Sequence, residues 1–70
     1  MIYLEPRNIL DTAIIGEEDN RIIYSYSRLV DIYMDGGMDY FQAIEHIEWN
    51  IIGTYMEYWP IIIDDLHEDI

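Results

Sequence analysis

Apolar positions recur with helical spacing through the middle of this chain and gather in β-branched runs on either side. In SYSRLVDIYMDGG, Tyr26, Leu29, Val30 and Tyr33 fall at i, i+3, i+4 and i+7, one face of an α-helix of about ten residues. Ser25 stands ready as its N-cap and Gly36-Gly37 as its stop. In MDYFQAIEHIEWNIIG the pattern repeats, with Asp39 as N-cap, Gln42 three residues on as a capping-box partner, and Gly53 near the end. The stripe of this second helix is Tyr40, Ala43, Ile44, Ile47 and Ile51, with Glu45 and Glu48 on the other side. Upstream, Ala13-Ile14-Ile15 and Arg21-Ile22-Ile23-Tyr24 flank a turn of Gly16, Glu17, Glu18, Asp19 and Asn20, a hairpin signal. MIYLEPRNILD reads as an extended or turn-rich lead, because Pro6 disfavours helix at the residue before it. TYMEYW is an aromatic connector of no clear period, and Pro60 then opens a last strand, Ile61-Ile62-Ile63.

These elements predict an α+β fold in the order β-β-α-α-β. A small antiparallel sheet, the β-hairpin plus the C-terminal strand, would pack against a two-helix hairpin and bury both helical stripes. At 70 residues the chain is one domain, 1–70, and 51% hydrophobic and 14% aromatic content supplies a dense core for that size. Self-association would bury further aromatic surface, which leaves room for a homodimer.

Charge changes the picture most. Fifteen Asp and Glu stand against three basic residues, all Arg, giving a formal net charge of −12. Small domains reach good solubility with a net charge of roughly 2 to 8 in magnitude. The excess weakens the compact state by self-repulsion, so a use in binding is expected. The absence of cysteine excludes a disulfide framework and a Cys-based zinc site and fits a reducing cytosol. MIYLEPRNIL lacks the basic and long apolar regions of a signal peptide, and no run approaches 18 apolar residues, so no membrane role is expected.

Catalytic and metal chemistries find little support. His46, between Glu45 and Glu48, and His67, beside Glu68, are not in register with a Glu-x-x-His set, and such sets must converge from several helices; surface histidines are expected, with no metal and no other cofactor. Paired carboxylates for general acid and base work need a cleft that a chain this short rarely encloses, so no enzyme is expected. DGGMD does not match a calcium loop at Asp31, Asp35 and Asp39, and Asp35 and Asp39 would repel a phosphate; an interhelical turn is the simpler reading. Tyr26, Tyr33, Tyr40, Phe41, Tyr55, Tyr58 and Trp59 are expected mostly in the core. Trp49 projects away from its helix's stripe toward Glu45 and Glu48, the composition of an interaction hot spot.

The carboxylates fall in four clusters: Glu17, Glu18 and Asp19 at the hairpin tip; Asp31, Asp35 and Asp39 on the first helix and the turn after it; Glu45 and Glu48 on the second helix; and Asp64, Asp65, Glu68 and Asp69 at the end. An ordinary acidic surface would intersperse Lys, and this one has none. Duplex DNA carries one charge per roughly 1.7 Å of axis, and its binding proteins meet it with rows of Lys and Arg. A folded array of carboxylates can compete for such a groove. The partner expected is a basic nucleic-acid-binding protein, with no direct contact to nucleic acid. The alternative is a small adaptor that binds through aromatic surface, its acidity serving only solubility.

Residues 16–56 resemble a group of small proteins encoded by bacteriophages and prophages, through the turn before Ile22-Ile23-Tyr24, then Tyr26, Leu29-Val30, Gly37-Met38, Ala43, Ile47, Asn50 and an aromatic stretch before Pro60-Ile61-Ile62. The resemblance implies action in the cytoplasm of a bacterial host. It also implies an inhibitor of host defence, of the anti-CRISPR type, directed at a CRISPR effector complex. The shared positions are core and turn residues and carry no active site across.

Overall fold

The computed structural model describes residues 1–66, so the expectations placed on His67, Glu68 and Asp69 lie outside the described residues. The first helix, α1 (Arg7–Leu10), continues into a 3₁₀ turn, Asp11–Ala13. Strands β1 (Ile14–Glu18) and β2 (Arg21–Ser25) follow, then α2 (Tyr26–Asp35) and α3 (Tyr40–Ile47). A π-helical turn, Glu48–Ile52, extends α3, and β3 (Ile61–Ile63) closes the sheet. The α+β class, the hairpin, the two helices and the last strand all stand as the sequence predicts.

Four local expectations are corrected. The lead segment is not wholly extended: the Pro6 carbonyl accepts from the Ile9 and Leu10 amides (3.3 and 3.0 Å), and one helical turn forms just after the proline. The hairpin turn is two residues rather than five. Asp19 and Asn20 have φ of 53° and 65°, as a two-residue turn of the right twist requires, and Asx side chains tolerate that region. Glu17 and Glu18 therefore lie in β1, opposite Ile22 and Arg21, and a bulge at Ile15 sets that register. The sheet is mixed, not antiparallel: in the order β1-β2-β3, β3 runs parallel to β2, pairing Ile61, Ile62 and Ile63 with Ile23, Tyr24 and Ser25. The cause is the crossover. β2 runs straight into α2, α3 turns the chain back, and residues 53–60 return it to the hairpin end before β3 begins, as a parallel connection needs. Finally, the aromatics expected in the core are not mostly there: Tyr40, Phe41, Tyr55 and Tyr58 are exposed.

Both helices end as their sequences dictate. Ser25 Oγ accepts from the Arg28 amide (3.2 Å), and Asp39 and Gln42 complete a reciprocal capping box (2.8 and 2.9 Å). Gly37, at φ 115°, is the left-handed residue beyond α2, with Gly37 and Met38 amides donating to the Met34 and Tyr33 carbonyls. The core joins Leu4, Leu10 and Ala13 to Ile22 and Tyr24 of β2, Tyr26, Leu29 and Val30 of α2, and Ala43, Ile47 and Ile51. Tyr24 is fully buried, and its hydroxyl oxygen accepts from the Leu4 amide (2.8 Å). This bond ties the lead segment to the central strand.

Candidate partner-binding surface

The N-terminus of α2 is where separate acidic clusters meet. Ser25, the N-cap, donates from its hydroxyl to Asp65 Oδ2 (2.6 Å), and the Ser27 amide donates to Asp65 Oδ1 (2.7 Å). Asp65 thus caps α2 from the far side of β3, satisfying a free amide at the positive end of the helix. Burial opposes its charge, yet the Ser25 hydroxyl and the Ser27 amide outweigh that and hold its carboxyl below the ordinary value. Beside it, the Tyr26 hydroxyl donates to Glu48 Oε2 (2.7 Å). Burial, this bond and the charges of Glu48 and Asp64 all push the Tyr26 phenol up, so Asp64 lies in the same neighbourhood.

From Ser27 the row i, i+4, i+8 along α2 is Ser27, Asp31 and Asp35, each aspartate about 6 Å further along the axis. Asp31 and Asp35 are exposed. Asp65 therefore heads a stripe that runs on through the exposed Asp31 and Asp35 by helix register, with Glu48 and Asp64 gathered at its head and Arg28 the one basic residue of α2. Three of these carboxylates are not simply free for a partner: Glu48 and Asp65 also hold the fold together, and Asp64 Oδ1 accepts from the Leu66 amide (3.2 Å).

Glu17, Glu18 and Asp19 lie elsewhere. They flank the end of β2 remote from Ser25, about 13 Å away for four strand steps. Glu45 falls in a third place, between Phe41 and Trp49 in the row 41, 45, 49 on the outer face of α3. Phe41 is 80% and Trp49 76% exposed, so Trp49 projects outward as its spacing predicts. The wide turn helps: it keeps Ile51 buried while Trp49 swings out, and Asn50 and Thr54 side chains take the His46 and Asn50 carbonyls (3.1 and 3.0 Å). His46 is only half-buried, its ring 4.6 Å from that of Tyr33. Among the described residues no group of three or more His, Asp or Glu side chains could hold a metal ion, and no helix is long and apolar enough to cross a membrane.

An open groove of about 660 Å³ was not foreseen. It lies between the hairpin tip and the loop after Gly53, lined by Asp19, Arg21, Tyr55, Glu57, Tyr58 and Trp59 among others. Its signal in the sequence is YMEYW, a crowd of large side chains with neither strand nor helix period to bury them. Comparison with protein-family models, with curated proteins and with solved structures finds no match to this chain.

Proposed function

We propose that this protein inhibits by occupying the basic nucleic-acid-binding groove of another protein, its carboxylates standing in for phosphates. The observation that carries the reading is the gathering of Glu48, Asp64 and Asp65 at the start of α2, from which the exposed Asp31 and Asp35 follow by helix register, in a chain with no Lys. Asp35 adds weight to it. It is the last residue of α2, where the helix dipole disfavours a carboxylate, and no basic residue stands in that turn to offset it. A residue placed against its own helix is one selected for something other than stability. The sequence resemblance directs the proposal to a CRISPR effector complex inside a bacterial host, with no enzymatic step of the protein's own.

Competition between this protein and DNA for such a complex tests the reading. Inhibition should weaken steeply between about 50 and 200 mM salt, as protein–DNA affinity does. The Asp31→Lys/Asp35→Lys variant should lose it while remaining folded, because Lys in the last turn of α2 suits the dipole. Inhibition that survives both changes would sink the proposal. A second reading, an adaptor that binds through aromatic contact, is favoured by the exposure of Phe41 and Trp49 on α3. Its affinity would hardly move with salt and would fall in the Trp49→Ala variant.

A further inference from the structure

We infer that the groove beside the hairpin tip is a second interaction site, which takes an arginine side chain presented by an extended basic segment of a partner protein. Its wall is aromatic and its rim is acidic. Tyr55 and Tyr58 are 86% and 49% exposed, with Met56 between them also outward. Asp19 and Glu57 line the same groove, and Glu17 and Glu18 lead up to Asp19 along β1. Arg21 is the one cation of the groove lining; its Nε donates to the Trp59 carbonyl (2.7 Å), and the carboxylates of Asp19, Glu57 and, across the strand pair, Glu18 outnumber its charge. A guanidinium answers both features at once, because it stacks flat on an aromatic face while its fork of N–H donors meets a carboxylate. The aliphatic stem of the same side chain suits Met56.

The loop that presents these rings is built in advance. The Trp59 amide donates to the Met56 carbonyl (3.0 Å) and closes a turn, and the Trp59 indole donates to the Ile51 carbonyl (2.8 Å). With the Arg21 bond, these tie the loop to both β2 and the wide turn, so little order remains to be imposed on binding. Tyr58 sits in that turn at φ 65°, a left-handed conformation that glycine takes easily and a bulky residue rarely does. Strain of this kind persists where the surroundings over-determine it, and it gathers at ligand clamps. The carboxylates of the hairpin tip lie about 13 Å along β2 from Ser25, where the α2 stripe begins, beyond the Debye length of about 8 Å at physiological salt, so the site does not depend on the mimic reading.

Titration of the isotope-labelled full chain with the tripeptide acetyl-Gly-Arg-Gly amide, followed by NMR, tests this. Saturable shifts are expected at Asp19, Tyr55, Tyr58 and the Trp59 indole, with binding about fivefold weaker for the uncharged citrulline peptide and weaker for the lysine peptide. Tyr55→Ala and Tyr58→Gly should each weaken it by about fivefold. Tyr58→Gly is the decisive variant, since it removes the ring where the backbone prefers glycine and should melt no lower than the parent. Asp31→Lys/Asp35→Lys should leave the titration unchanged, which separates this site from the stripe. Shifts spread equally over Asp31, Asp35 and Asp64, a citrulline or lysine peptide that binds as well, or undiminished binding by folded Tyr58→Gly would each overturn the assignment.

Discussion

Gly53 closes the wide turn that follows α3, and its amide donates to the Glu48 carbonyl at 2.8 Å. A Cβ added there would stand 2.9 Å from that carbonyl oxygen and 3.1 Å from the oxygen of Trp49. Both are backbone atoms of a hydrogen-bonded turn and cannot step aside cheaply. Gly53→Ala should therefore lower the unfolding free energy by about 1–3 kcal/mol in urea titrations, the scale of other overpacked sites. Gly16→Ala serves as the contrast. Its added Cβ would meet only Ile23 Cδ1 at 3.8 Å, an ordinary contact, so a change within about 0.5 kcal/mol is expected. Equal costs at the two glycines would mean that the wide turn yields readily, and the outward placement of Trp49 would lose its structural cause.

At the scale of elements, the joint between β3 and α2 is closed by Asp65. Its carboxyl titrates below its ordinary value of 3.8 in the folded chain, so its contribution is complete above that value and is lost as pH falls through the lower folded one. Asp65→Asn should cost about 1 kcal/mol near neutral pH, as the loss of a helix cap does. The gap between parent and variant, read from urea midpoints, should then narrow as the solution is taken from pH 6 toward pH 2. A gap constant with pH would show that the charge is not what caps the helix. This joint also marks how far the sequence could be read. Ser25, Asp39, Gln42 and Gly37 signal their caps locally, within four residues, and the helices stand where those signals place them. The capping of Ser27 by Asp65 spans 38 residues and the parallel pairing of Ile61 with Ile23 spans as many, and no periodicity encodes contacts at that distance. The acidic clusters were legible as composition. Their union into one stripe was not, because it depends on the crossover that carries Asp64 and Asp65 to the start of α2.

For the whole molecule the decisive quantity is −12 carried by a body of 32 × 27 × 22 Å. Among the described residues most carboxylates are exposed and meet few cations, and Arg7 is already paired with Asp11 at 3.0 Å. Repulsion among them should dominate the charge interactions of the folded state, and the more extended unfolded chain relieves it. Added sodium chloride shortens the Debye length from about 30 Å at 0.01 M to about 3 Å at 1 M, so the urea midpoint should rise over that range. Replacing Asp31 and Asp35 by Lys removes two negative charges and adds two positive ones, taking −12 to −8. That variant should begin with the higher midpoint at low salt and gain less from added salt. Partner binding through the stripe must respond with the opposite sign in both experiments, weakening with salt and with reversal, because there the same charges attract. Stability that fell with salt would mean that attraction holds the fold, and Asp31 and Asp35 would no longer read as carboxylates kept at a cost to it.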